Sequence, residues 1–243
     1  MNIKLTLSFD GSNYHGWQSQ NNAVTVQDTV GEAIYKTTGQ AANLIGCSRT
    51  DAGVHATQYV ANFRTTAAIP TDRIPLALNA VLPSDIAVYN ASDESYDFHS
   101  VFSCIRKEYT YKILNEPIRN PLLHNRVWWY PRELDLDRMR RAAVEFIGEH
   151  DFSAMRSVGS NVKTTVRTVF KFDIRRYCGI IECIMSANGF LYNMARTMVG
   201  TLAYVSIGKI EPEDIRSILV SGNRTLSGPT APPQGLYMTG VFY

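Results

Sequence analysis

Apolar and polar side chains alternate from residue 3 to residue 9 (Ile3, Leu5, Leu7 and Phe9 against Lys4, Thr6 and Ser8), the two-residue period of a strand with one buried face. Beyond it the pattern predicts a helix over about 26–38, strands near 43–47 and 57–65, a helix over about 70–80 and a strand over 86–91, an order of β-α-β-β-α-β. After residue 104 a strand is expected over 105–115. A helix follows over 136–149, with Met139, Ala142, Ala143, Phe146 and Ile147 on its apolar face. The pattern continues with a hairpin over 166–176 and 180–187, a helix over 190–206, a short helix near 212–221 and an alternating last strand over 236–242. The second half thus approximates the same order with insertions, and the predicted class is α+β, two βαββαβ-like (ferredoxin- or RRM-like) halves with antiparallel sheets. The repetition is one of element order, since no sequence identity between the halves is visible. Residues 96–105 break both periods, which sets the expected domains at 1–103 and 104–243. No Gly-, Ser- or Pro-rich linker separates them, so the halves are expected to pack together around a permanent central cleft.

Composition narrows the class without identifying it. With 243 residues, 45% hydrophobic and 19% charged, the chain has the makeup of a globular protein rather than a disordered one. Its first residues alternate instead of forming the continuous apolar core of a signal peptide, and no run reaches the roughly 18 apolar residues of a membrane span. The cytoplasm is the expected compartment, with no membrane partner. Cys47, Cys104, Cys178 and Cys183 lack C-x-x-C spacing, so neither zinc nor a structural disulfide is expected. Absent any Gly-x-Gly-x-x-Gly or phosphate-loop pattern, no cofactor is expected either.

Charge changes the picture more through its distribution than its sum. Residues 1–100 hold five basic against nine acidic side chains and the remainder nineteen against thirteen, so a net charge of +2 conceals a basic second half. Arg106 and Lys107, the trio Arg138, Arg140 and Arg141, and the series Arg167, Lys171, Arg175 and Arg176 are interspersed with Tyr109, Tyr111, Trp128, Trp129 and Tyr130. Cations supply affinity for phosphates, and aromatics stack on unpaired bases. Read singly, most of these residues suit solvated faces and core aromatics equally well.

The chemistry concentrates at Gly46-Cys47-Ser48-Arg49-Thr50-Asp51-Ala52-Gly53-Val54-His55-Ala56. Apolar runs flank this polar stretch on both sides, the pattern of strand, bend and strand, and such a bend can present Asp51 to a cleft. Gly53 opens backbone angles closed to other residues, and Ala52 leaves room for a bulky group to approach the carboxylate. The plainer reading is a hairpin turn whose Asp caps its own backbone. Arg49, two residues earlier, leaves the same face as Asp51 if the segment is extended. Arg196 stands among Phe190, Leu191, Met198 and Val199, where a lone cation is costly unless paired or unless its stem carries it to solvent. Tyr109 lies with Lys107 and Tyr111 on one face of its strand. His15, His55, His99, His124 and His150 are scattered, without a nucleophile motif beside any of them.

Four ordered blocks carry a resemblance. Arg49-Thr50-Asp51-Ala52-Gly53-Val54-His55-Ala56 resembles the signature of the TruA-type tRNA pseudouridine synthases. The run Phe9-Asp10-Gly11-Ser12-Asn13-Tyr14-His15-Gly16-Trp17-Gln18 resembles that family's opening pattern, with Phe9 where Tyr is usual. Phe190 to Gly200 is similar to its Phe-x-x-x-Met-x-Arg-x-x-Val-Gly helix, and Gly235-Leu236 to its closing segment. The resemblance implies isomerisation of uridine to pseudouridine at positions 38–40 of the tRNA anticodon arm by a homodimer, and within each chain the merging of the sheets of the two halves into one extended antiparallel sheet. It implies Asp51 as the reactive carboxylate, Arg196 as its ion-pair partner, Tyr109 stacking on the uracil and handling the C5 proton, Leu236 as the apolar wall and Arg49 as an RNA contact. Asp51 acts either as a nucleophile or as a base toward the ribose; both require the ionised form. Two other classes stand beside this one. An inert RNA-binding module lacks support from any RNA-recognition aromatic run, and a carboxylate hydrolase would need a second acid, which is not close to Asp51 in the sequence.

Overall fold

The computed structural model describes residues 1–157, 159 and 162–243. They form two compact units, one made of Met1–Ile105 with Tyr237–Tyr243 and the other of Arg106–Leu236. Both are mixed α+β, and their sheets are mostly antiparallel.

In the first unit β1 (Asn2–Phe9), α1 (Val26–Thr38), β2 (Ile45–Gly46), β3 (His55–Arg64), α2 (Ile74–Asn79) and β4 (Ile86–Glu94) follow in the order the hydrophobic pattern predicts. β1 is central, antiparallel to β3 on one side and β4 on the other, with Leu5 opposite Ala61 and Ala91. The alternation read in β1 is the burial observed: Ile3, Leu5 and Leu7 are fully buried. α1 starts where Thr25 Oγ1 accepts the N–H of Asp28 and stops at Gly39, whose N–H closes on Tyr35. Its buried stripe is Val26, Val30, Ala33 and Ile34. Each of the larger three contributes about 2 kcal/mol of burial.

The second unit holds β5 (Arg106–Leu114), β6 (Trp128–Trp129), α3 (Leu136–Val144), β7 (Gly148–Asp151), β8 (Val166–Tyr177), β9 (Ile180–Ala187), α4 (Met194–Ser206) and α5 (Asp214–Ser221). Its strands lie in the order β5-β9-β8-β7, and the two-residue β6 runs parallel to β5. Met139, Ala142, Ala143 and Phe146 are buried as their spacing predicts.

Three expectations are corrected. The helix expected to reach 149 ends at Val144, because Glu145, Phe146 and Ile147 tighten into i→i−3 bonds and Gly148, at φ +114°, turns the chain into β7. The helix expected from 190 starts at Met194, because Asn193 is left-handed at φ +61°. β10 (Leu236–Phe242), counted with the second half by element order, runs parallel beside β3 of the first unit, with Tyr237 opposite His55 and Met238 opposite Ala56. Strand partners are chosen by pairing edges, which element order does not encode.

Candidate active site

In the first unit Asp51 sits in the connection between β2 and β3, half-buried, with Arg49 exposed beside it. Residues 49–51 are not in a strand, so the shared face expected for Arg49 and Asp51 has no pleat to enforce it. Among the described residues Arg49 makes no ion pair. The backbone of this connection is held from below by the opening aromatic loop. Trp17 N–H donates to Thr50 O at 3.3 Å, Gly53 N–H donates to Tyr14 O at 3.3 Å, and Val54 N–H closes the turn on Asp51 O at 3.2 Å. Gly16, at φ +85°, lies so close that a Cβ would stand 2.2 Å from Thr50 O and 3.1 Å from the carbonyl carbon of Asp51.

Three residues before Asp51, the Tyr59 hydroxyl holds both backbone groups of Ser48, donating to its carbonyl and accepting its N–H. The Tyr59 ring stacks on Trp17 with centroids 4.2 Å apart. Gly46 makes that approach possible, since a Cβ there would meet Tyr59 Oη at 2.3 Å and Trp17 Cε2 at 2.4 Å. Asp51 therefore projects from a segment fixed at Ser48, Thr50 and Gly53, not from a free loop. Packing of Trp17 and Tyr14 is what large loop aromatics lead one to expect, whereas the hydrophobic pattern gives no sign of Tyr59 as a support. The signal that could have found it is the density of glycines at 11, 16, 46 and 53, since a close approach of backbone to backbone or to a ring leaves no room for a Cβ.

Tyr14, Trp17 and His55 are buried in the first unit. Tyr14 and Trp17 pack, as large loop aromatics are expected to. Tyr14 Oη donates to Asp85 at 2.7 Å, and burial together with that carboxylate pushes its phenol well above the ordinary range. His55 is buried, accepts the Gly11 N–H at Nδ1 at 3.0 Å and stacks on Tyr237. It orients backbone rather than reaching outward.

In the second unit Tyr109 and Tyr111 face the same side of β5, both buried, while Lys107 at the strand start is half-buried. Tyr109 meets Phe190 edge-on, with centroids 4.9 Å apart. Tyr111 donates to Pro232 O at 2.7 Å, and its ring occupies the space that Gly235 leaves empty: a Cβ there would lie 2.5 Å from Cζ. That explains the glycine before Leu236, which is itself buried. Burial pushes the Tyr111 phenol well above its ordinary range, and the charge of Arg196 partly offsets this. Tyr111 thus lies two residues from Tyr109 on the same strand face, with its ring against Gly235 and within reach of the Arg196 charge.

Arg196 is half-buried on the first turn of α4. Its Nε donates to Ala231 O at 2.8 Å and an Nη donates to Asn193 Oδ1 at 2.8 Å, while Ala231 N–H returns a bond to Arg196 O at 3.1 Å. One turn on, Gly200 lets the same segment lie against the helix, because a Cβ there would stand 1.7 Å from Pro229 O. In the Arg-x-x-Val-Gly spacing, arginine and glycine share the helix face on which residues 228–231 are laid.

The basic clusters are less available than the sequence suggests. Arg138 bonds Glu211 at 2.7 Å, Arg140 bonds Asp137 at 3.0 Å, and Lys171 and Arg175 both approach Asp173. No helix among the described residues is long and apolar enough to cross a membrane.

The model of the tRNA pseudouridine synthase family matches residues 6–103 and 142–243, which contain Arg49, Asp51, Arg196 and Leu236; Tyr109 lies between the two matched segments. A tRNA pseudouridine synthase A of Thermoanaerobacter sp. (strain X514) is 48% identical over 242 residues, covering 100% of this chain and 99% of that protein. The proteins of the same name in Caldicellulosiruptor bescii and Acetivibrio thermocellus are 48% and 47% identical over 242 residues, with the same coverage. This decides among the three classes that the residues alone left open. With both segments matched and relatives nearly half identical from end to end, the chain belongs to the TruA-type tRNA pseudouridine synthase family of isomerases.

Proposed function

We propose that this protein isomerises uridine to pseudouridine at positions 38–40 of the tRNA anticodon arm, as a cytoplasmic homodimer, with Asp51 as the essential carboxylate. In this reading the first unit supplies Asp51 and Arg49, the second supplies Tyr109, Arg196 and Leu236, and the two are ferredoxin-like halves. The observation that supports it most is the anchoring of the connection around Asp51, whose backbone is held at Ser48, Thr50 and Gly53. A carboxylate carried on so constrained a segment is pre-organised for a reaction whose geometry has to be met closely.

The reaction breaks the N1–C1′ bond of uridine, turns the uracil, joins C5 to C1′ and removes the proton from C5, so nothing is added or oxidised. An ionised Asp51 opens it by attacking the nucleoside or by taking a ribose proton. Withdrawing water from a carboxylate raises its pKa, and a neighbouring guanidinium opposes this; that is the role assigned to Arg196. Turning the uridine out of its stack costs a few kcal/mol, offset by Tyr109 on one face of the base, Leu236 on the other and Arg49 on the RNA. The Tyr109 hydroxyl then relays the C5 proton, passing its own proton to water as it takes that one.

Mapping pseudouridine in unmodified tRNA after incubation with the protein tests this reading. Product confined to positions 38–40 is expected; product only elsewhere in the tRNA would overturn the site assignment. The Tyr109→Phe variant separates two roles. It keeps the ring, so tRNA affinity should stay within about threefold of wild type, while turnover falls by about two orders of magnitude for want of the hydroxyl. Wild-type turnover by this variant would remove the phenol from proton transfer.

A further inference from the structure

Among the described residues, three that are not glycine have a left-handed backbone: Asn125, Cys178 and Asn193. Asn193 alone of these adjoins a residue of the proposed site. It occupies the N-cap position of α4 at φ +61° and ψ 3°, yet its side chain caps nothing. Asparagine is favoured at that position because its oxygen can accept a helix N–H, and here that bond is forgone. Instead Oδ1 accepts from Arg196 at 2.8 Å and Nδ2 donates to Ser157 Oγ at 2.8 Å. A guanidinium only donates, so the amide can face Arg196 only with its oxygen, which fixes the opposite edge as the donor to Ser157. The Ser157 N–H in turn donates to Tyr192 O at 3.1 Å. With Nε on Ala231 O and an Nη on Asn193 Oδ1, the plane of the Arg196 guanidinium is set from two directions.

We infer that Asn193 is a positioning residue for Arg196: its left-handed backbone and forgone cap bond turn the side-chain amide onto the guanidinium and fix its orientation. The inference rests on the role proposed for Arg196 and adds what holds that cation in place. An unusual backbone conformation that forgoes a local bond to orient a charged group is the arrangement in which a site is maintained at some expense to helix stability.

The test compares Asn193→Gly, Asn193→Ala and Arg196→Ala in the full chain, reading kcat for pseudouridine formation, tRNA affinity and Tm. Both Asn193 variants lose the amide, but only alanine keeps a Cβ that the left-handed backbone disfavours. Asn193→Ala is therefore expected to melt about 3 °C below Asn193→Gly. Both are expected to lose about tenfold in kcat, with tRNA affinity within about twofold of wild type. Equal loss of turnover at unequal Tm is what a purely structural asparagine would not give. If Arg196→Ala is inactive while Asn193→Gly turns over like wild type, the inference fails and the role of Arg196 stands. If kcat follows Tm across the two Asn193 variants, the residue is structural and the inference fails. If Arg196→Ala itself retains turnover, the reading beneath the inference is lost along with it.

Discussion

Replacing Asp51 with asparagine is expected to cut pseudouridine formation by at least about a thousandfold while tRNA affinity stays within about threefold. The substitution keeps the side-chain shape while removing the charge and exchanging one acceptor oxygen for an NH2 donor. The connection that carries the residue is fixed by its neighbours' backbone bonds, so it should not move: Thr50, Gly53 and Ser48 make their bonds whatever stands at 51. Val54 N–H bonds the backbone carbonyl of residue 51, not its side chain. Tm should therefore shift by no more than about 3 °C. Single-turnover kinetics with saturating enzyme separate the chemical step from binding. A variant that binds tRNA and forms product at a tenth of the wild-type rate or faster would show that the carboxylate is not the reagent, whichever of its two roles is assumed.

The largest effect on folding is expected at a glycine rather than at an ionisable group. Gly200 and Gly31 both lie inside helices, where glycine costs roughly 1 kcal/mol relative to alanine, so alanine should stabilise each of them if nothing else intervened. At Gly31 nothing lies within 4 Å of an added Cβ, and Gly31→Ala is expected to raise Tm by about 2 °C. At Gly200 the same methyl would stand 1.7 Å from Pro229 O and 2.8 Å from its carbonyl carbon, so the segment across the helix has to move as a whole. That segment is tied down along its length. Ser227 Oγ donates to Ala154 O, Gly228 N–H to Thr201 Oγ1, and Ala231 N–H to Arg196 O, while Arg224 donates to Gly228 O and to Thr230. Breaking several of these bonds together should destabilise Gly200→Ala by about 4 kcal/mol or more and lower Tm by about 10 °C or more. Because Ala231 O holds Arg196 Nε, whatever folds should also lose turnover. Thermal melts of the two variants side by side are the measurement; equal melting temperatures would mean that the segment over α4 is not packed as described.

These two glycines show how far a sequence can be read. Both interrupt helix-forming sequence at the same intrinsic cost, and nothing local distinguishes them. What differs is the backbone lying across one of them, 29 residues further along the chain at Pro229. The same holds for Tyr111, an ordinary strand tyrosine by pattern, whose ring fills the space above Gly235 and whose hydroxyl reaches Pro232.

The sequence by itself determined the types of the longer elements, the buried faces of β1 and α3, and the blocks around Asp51, Tyr109, Arg196 and Leu236. Each of these is carried by residues a few positions apart, within the span over which side-chain period and turn chemistry act. Tertiary structure decided the rest: the pairing of β10 with β3, the end of α3 at Val144, the left-handed Asn193 that delays α4 and turns its amide to Arg196, and the Tyr59–Trp17 support beneath the Asp51 connection. Those outcomes depend on which backbone meets which ring or strand edge across tens to hundreds of residues, and close packing of that kind leaves no periodic trace in the chain.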